Sequence, residues 1–349
     1  MNKYLLKIIK TAVGLLLLIG LIYCVKLDKL IETFKNLSLF YIILLLAISF
    51  VLILISTIKW QILIEKLGEK IPLLKLFSLY FIGYFVNLFL PSFLGGDLAR
   101  SITIGKKIGQ HKALTATFLE RYTGFFAMLF LSFIFMFFVD YIPIRTKTVV
   151  AILFFASIII TILSLSEKLL KKFSFLPYSE KFLPHFQKIQ ESLLVFKDDK
   201  KLIFQTLFLS IVFHCITVLN TAVAGYAIGW EDLPLFSLFI VLPLIFLISC
   251  IPISPNGLGV QEGAFTFFLM AVGATKEQAL AVALILRLKG YILGLVGGVL
   301  YWGNSTISST KASATKTSAT KASATKTSAT KASATKTSTK KTSSTKNGK

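Results

Sequence analysis

Asn87-Leu-Phe-Leu-Pro91-Ser-Phe-Leu-Gly95-Gly96-Asp97-Leu-Ala-Arg100 begins as an apolar run and then breaks at a proline and two glycines. Directly after the break come an acid and a base, one helical turn apart. In lipid, freed backbone groups and ionisable side chains are costly unless protein or a wet cavity covers them. A second stretch, Ile251-Pro252-Ile-Ser-Pro255-Asn256-Gly257-Leu-Gly259-Val-Gln261-Glu262-Gly263, has the same character in the other half of the chain. The remainder reads as a membrane scaffold that holds these two breaks.

The 349 residues are 55% hydrophobic and only 15% charged, against about 25% charged in a soluble domain. The apolar runs are apolar on every face for about 20 residues, whereas barrel strands alternate over about ten. The composition predicts an all-α, polytopic integral membrane bundle. The net charge of +22 is unevenly placed: residues 304–349 hold ten lysines and no acid, which leaves +12 for the rest. That remainder is ordinary for basic cytoplasmic loops, and no nucleic-acid partner is called for. Cys24, Cys215 and Cys250 lie singly in apolar runs, so neither a metal site nor a disulfide framework is indicated. No cofactor motif is present either.

Charge bias then orders the chain. Lys3, Lys7 and Lys10 precede an apolar run from Thr11 to Val25 that lacks a small-residue cleavage site. It reads as an uncleaved first helix with a cytoplasmic N-terminus. A second helix, about 39–58, is expected to return to a cytoplasmic loop carrying Lys59, Lys66, Lys70 and Lys75. If the third apolar run spanned the bilayer, Arg100, Lys106, Lys107 and Lys112 would lie outside, against the positive-inside rule. A re-entrant hairpin turning at Pro91, Gly95 and Gly96 removes the conflict. Further helices are expected over about 118–139, 148–165, 202–228 and 235–250, then a short one over 262–273 and a last one over 279–302. The loop 166–201, with eight lysines, reads as cytoplasmic. The total is about eight spans plus one re-entrant segment, multi-pass in the cell membrane, with both termini cytoplasmic.

Two domains are expected: a transmembrane domain over 1–303 and a Lys/Ser/Thr/Ala repeat tail over 304–349. The tail has too little apolar surface to offset its chain entropy, which predicts disorder.

The candidate substrate-binding residues are the polar ones at membrane depth: Asn87, Asp97, Arg100, Glu120, Arg121, Asn256, Gln261, Glu262 and Arg287. Asp97 reads equally as a cap of the helix that follows, with Arg100 one turn on as its partner. Arginine suits phosphate because its planar fork offers paired donors. Glu120 and Arg121 are adjacent, so on a helix they point about 100° apart and do not pair. Pro252, Pro255, Gly257 and Gly259 break the second stretch, and Glu262 then opens a short helix whose dipole favours its ionised form. Arg287, inside the last helix, calls for an intramembrane acid, with Glu262 or Glu120 as its partner. His214 reads as packing. Gly290, Gly294, Gly297 and Gly298 allow close helix packing. The two breaks, each a proline, glycines and then an acid opening a helix, suggest paired repeats around a substrate.

Asn87-Leu-Phe-Leu-Pro with Gly-Gly-Asp-Leu-Ala-Arg, Glu120-Arg-Tyr-Thr-Gly, and Pro252-Ile-Ser-Pro-Asn-Gly-Leu-Gly-Val-Gln-Glu-Gly resemble the motifs of the lysylphosphatidylglycerol synthase transmembrane-region family. That family includes the flippase-like half of the multiple peptide resistance factor. The resemblance covers residues 5–303 and implies a bundle of about eight helices that binds or moves lipids with polar or charged headgroups, polyprenyl-linked ones among them. The chain departs from the resistance factor in lacking a soluble aminoacyl-transferase domain, so lipid aminoacylation is not expected.

Three functions are therefore carried forward. One is a flippase-like lipid transporter, with no Walker motif to indicate ATP drive. Another is a membrane enzyme acting on a lipid-linked substrate, although no nucleophile constellation supports it. The third is a non-transporting, lipid-binding partner of a lipid or glycolipid synthase. A homo-oligomer is compatible with all three.

Overall fold

Backbone groups in lipid must find partners within the chain, and a helix supplies them all from its own segment. A computed structural model describes residues 12, 15–16, 18–21, 23, 27–35, 37–90, 95–165 and 199–303, and every described element is helical. Part of the first expected helix, residues 91–94 at the first break, the basic loop through residue 198 and the repeat tail lie outside the described residues. The chain divides into two compact units, Met1–Gly298 and Val299–Lys349, and the contacts below belong to the first.

In chain order the helices are α1 (Leu27–Lys35), α2 (Leu39–Lys66), α3 (Leu73–Asn87), α4 (Gly95–Ile108), α5 (Gln110–Phe135), α6 (Ile144–Leu165), α7 (Lys200–Tyr226), α8 (Leu235–Ser249) and α9 (Val260–Met270). The last, α10, covers Lys276–Gly303. Among the described residues α2, α5, α6, α7 and α10 are long and apolar enough to cross a membrane. Their outward faces carry exposed Phe40, Ile43, Phe155, Ile159, Phe204 and Phe208, as lipid-facing surfaces do. Inside, α2 packs on α7, and α5 touches α2, α4, α6, α7 and α8. One apolar core runs through Leu131, Val150, Val218, Leu238 and Ala281.

The ends are tied by local hydrogen bonds. Ser38 Oγ accepts from the Phe40 N–H at 3.3 Å and caps α2. Asp199 caps α7 by accepting from the Leu202 N–H at 3.0 Å, and accepts from Lys66 Nζ at 2.7 Å at the end of α2. The hydrogen bond from Lys66, with that from Leu202, holds the Asp199 carboxyl below its ordinary pKa.

Five of the described helices are short: α1, α3, α4, α8 and α9. The 15 residues of α3 reach only about 22 Å, less than the roughly 30 Å hydrocarbon core. Past the break, α4 runs back beside α3. Asn87 meets Gly96, Gly83 meets Gly96, and Tyr80 meets Arg100, so partners move apart along the chain on either side of the break. That progression is an antiparallel hairpin whose two open ends lie side by side, the geometry expected of a re-entrant segment. Across the second break α8 and α9 also pack on each other, although only one re-entrant segment was expected. Hydropathy does not distinguish a 15-residue α8 from a crossing helix with frayed ends.

Two boundaries need correcting. The helix expected from about 118 already begins at Gln110. The helix expected to stop near residue 58 continues for about two more turns to Lys66, and Lys59 lies inside the bundle at 4% exposure. Its Nζ donates to Ser210 Oγ on α7 at 2.9 Å.

The glycines of α10 divide by role. Gly294, Gly297 and Gly298 face Leu88, Phe81 and Phe85 on and just beyond α3, while Gly290 has nothing within 4 Å of a Cβ position. A methyl group on Gly297 would overlap the Phe81 carbonyl, and one on Gly96 the Gly83 carbonyl. Backbone cannot step aside as a flexible side chain can. Gly96→Ala and Gly297→Ala are each expected to destabilise by about 1–3 kcal/mol, read as a lower unfolding midpoint in detergent. Gly290→Ala is expected to leave that midpoint unchanged or raise it.

Candidate functional site

The first break places four charges together. Gly95 and Gly96 open α4, and Asn87 Oδ1 accepts from the Gly96 N–H at 3.1 Å, so the end of α3 caps the start of α4. Asp97 stands in the first turn, where the helix dipole favours an anion. It accepts from Arg100 Nε at 3.1 Å and from Arg121 Nη2 at 2.7 Å. Arg100 also donates to Glu120 on α5, in an ion pair whose members are 1% and 3% exposed at their side chains. Its guanidinium lies over Tyr80 at 4.0 Å and over Trp60 at 4.4 Å. Two aromatic faces thus flank a planar cation, an arrangement that favours arginine over lysine. Glu120 and Arg121 diverge as their spacing requires, each pairing across to α4.

The second break is built around Arg287. Asn256 has φ 49° and Gly257 and Gly259 have φ 66° and 78°, a left-handed path open to glycine and, less readily, to asparagine. That path turns two carbonyls toward α10. Arg287 Nη1 donates to the Asn256 carbonyl at 3.3 Å, and Nη2 donates to the Gly257 carbonyl and to Gln261 Oε1, both at 3.2 Å. Its Nε pairs with Glu262. Glu262 Oε2 reaches back to accept from the Gly259 N–H at 2.7 Å and caps α9. Pro255 begins the short 3-10 turn Pro255–Gly257, a few residues beyond the end of α8 and Pro252.

The two breaks meet. The Asn256 N–H donates to the Leu90 carbonyl at 3.1 Å, tip to tip. Between the two helix pairs lies a cavity of 360 Å³ with walls from α2, α3, α4, α5, α7, α8, α9 and α10. Asn87, Asp97, Arg100, Glu120, Arg121, Asn256, Gln261 and Arg287 all line it. Glu262 does not: it is fully buried behind Arg287. The expectation that Glu262 lines the cavity is corrected, because its carboxylate is occupied by the α9 cap and the guanidinium.

Other lining residues gave little sign of themselves in the sequence. They are Lys59, Tyr80, His214, Asn220 and Lys289. Several buried polar atoms at this cavity have no hydrogen-bond partner among the described residues, namely Asp97 Oδ2, Arg100 Nη1, Arg121 Nε, His214 Nε2 and Asn220 Oδ1. Buried polar groups ordinarily find partners, so these atoms suit a wet or ligand-bearing cavity. Pro243, within α8, also lines it and removes the backbone donor that its helix position would supply. No cluster of His, Cys, Asp and Glu able to hold a metal ion occurs among the described residues.

The family model described as the lysylphosphatidylglycerol synthase transmembrane region matches residues 7–298. The chain belongs to this family. The match spans both breaks, so the cavity is made of the family region throughout. The UPF0104 membrane protein of Pyrococcus horikoshii is 23% identical, across 87% of this chain and 98% of the relative. That of Methanocaldococcus jannaschii is 22% identical, across 82% of this chain and 91% of its own length. A third, from Methanothermobacter thermautotrophicus, is 23% identical across 73% and 83%. No solved structure matches the chain. The protein is thus a multi-pass helical membrane protein of the lysylphosphatidylglycerol synthase transmembrane-region family.

Proposed function

We propose that this protein takes the polar headgroup of a membrane lipid into the cavity and carries it between leaflets of the cell membrane, leaving the acyl chains in the bilayer. The observation that supports this most is the convergence of eight polar residues, drawn from both breaks, on one cavity of 360 Å³. That volume lies near the lower end of ordinary ligand pockets and suits a headgroup better than a whole lipid. The apolar members of the wall, such as Leu52, Met128, Phe246 and Leu293, would accompany the upper part of the chains. The lysine bias of the loops supports cytoplasmic termini in this reading. A lipid or glycolipid synthase is the natural source of such a substrate.

Chemically, the site binds and orients. Arg100 and Arg287 have most of their donors committed to protein acceptors, so they hold the shape of the site more than they hold substrate. Arg121, with 38% of its side chain exposed, is the most open guanidinium. For a headgroup to pass, the contact between Asn256 and Leu90 must open, and a single hydrogen bond costs only about 1 kcal/mol net to break.

Reconstitution in liposomes tests the reading. Purified protein is expected to speed the appearance of a labelled phospholipid in the opposite leaflet, with the lipid recovered chemically unchanged. Arg121→Ala is expected to slow that movement about tenfold, the equivalent of one charge-assisted hydrogen bond to the headgroup. Chemically altered lipid would favour the enzyme reading. Binding without movement would favour the lipid-binding partner.

A further inference from the structure

The cavity's charges do not balance. Around the first break Asp97 and Glu120 match Arg100 and Arg121, and around the second Glu262 matches Arg287. That leaves Lys59 on α2 and Lys289 on α10, both lining the cavity. Neither has a carboxylate within ion-pair distance among the described residues. Lys59 is 4% exposed and its one acceptor among the described residues is Ser210 Oγ, whose own proton goes to the Thr206 carbonyl. An ammonium has three donors, so two remain. Gly124 keeps the space beside this ammonium open, since a Cβ there would come within 3.4 Å of Lys59 Nζ.

We infer that the headgroup taken by this cavity is anionic and of the phosphate class, and that Lys59 and Lys289 are the two ammoniums it neutralises. The inference rests on the proposed lipid-headgroup function and narrows it. Buried ions persist when paired and hydrogen-bonded, and a phosphate brings both the missing negative charge and acceptors for the unused donors. Arg121 Nε and Arg100 Nη1, also without partners among the described residues, add donors for the same phosphate, while Asp97 Oδ2 and Asn220 Oδ1 stand open to donors of the headgroup or to water. A lysylated phosphatidylglycerol is disfavoured, because its lysyl group brings two ammoniums against one phosphate into a site already in positive excess. The family's name therefore does not describe this cavity's cargo.

Native mass spectrometry of the detergent-purified full chain tests this with three probes: dioleoyl phosphatidate, dioleoyl phosphatidylcholine and lysyl-phosphatidylglycerol. Phosphatidate is expected to bind about tenfold more tightly than either of the others. Lys59→Gln and Lys289→Gln are each expected to weaken phosphatidate about tenfold and phosphatidylcholine, whose choline already offsets its phosphate, by clearly less, and Lys59→Arg is expected to retain binding. Circular dichroism and elution volume establish that each variant is folded. Lys106→Gln/Lys107→Gln, on the exposed end of α4, controls for attraction to surface lysines. Equal affinity for the three lipids overturns the inference. So does an equal loss in the surface variant, or binding of inorganic phosphate as tight as that of phosphatidate. In the liposome assay, leaflet movement without charge preference would sink this inference and spare the transport reading. Phosphatidate selectivity without movement would do the reverse.

Discussion

Replacing Arg100 by alanine is expected to destabilise the protein by about 3–5 kcal/mol, the range for removing one partner of a buried ion pair. Arg100 is 1% exposed and joins Asp97 to Glu120. Without it Glu120 is left as a buried carboxylate, and the space between Tyr80 and Trp60 is left unfilled. The measurement is equilibrium unfolding in mixed micelles. Arg100→Lys is expected to recover only part of the loss, because an ammonium cannot serve two carboxylates and two ring faces with a planar fork. In Arg100→Ala/Glu120→Ala the orphaned charge is gone, so the double variant is expected to be more stable than the sum of the single changes. Additive losses would show that the two side chains are not coupled.

Glu262→Ala is the second large effect, again about 3–5 kcal/mol. Two separate partners lose their acceptor: the Gly259 N–H at the start of α9 and the guanidinium of Arg287. Glu262→Gln separates them, since its amide oxygen can still cap α9 while the charge is gone. The glutamine variant is therefore expected to keep more stability than alanine, by about the 0.5–2 kcal/mol value of a cap. Because Glu262 stands behind Arg287, its loss is expected to reach lipid binding only through a displaced guanidinium. Equal stability of the alanine and glutamine variants would mean that the cap contributes nothing.

Much of this was legible in the residues. Uninterrupted apolar runs mark helices by composition alone, and proline with paired glycines marks the breaks. Acids and bases at membrane depth stand out because lipid makes them costly, and eight of the nine chosen residues line one cavity. What stayed hidden was direction and partnership. Glu262 announced itself, but whether it faced the cavity or Arg287 depends on a helix rotation that periodicity in an all-apolar segment does not set. The pairing of Arg100 with Glu120 crosses from one helix to the next, and no local pattern encodes it. Lys59 reads as a loop residue because charge next to an apolar run ordinarily marks the membrane border. His214 and Asn220 are single polar residues within apolar runs, and their surroundings come only from the folded neighbours.

The last helix holds both breaks at once. Arg287 grips the second by two carbonyls, and the backbone of Gly297 rests on Phe81 of the first. These two attachments lie about 15 Å apart along one rigid rod. A single residue inserted between them would swing one attachment by about 100° relative to the other, so both could not be made together. Surface loops absorb such length changes freely. Here the spacing from Arg287 to Gly297 acts as a ruler, and its length is as much a part of the binding site as any side chain within it.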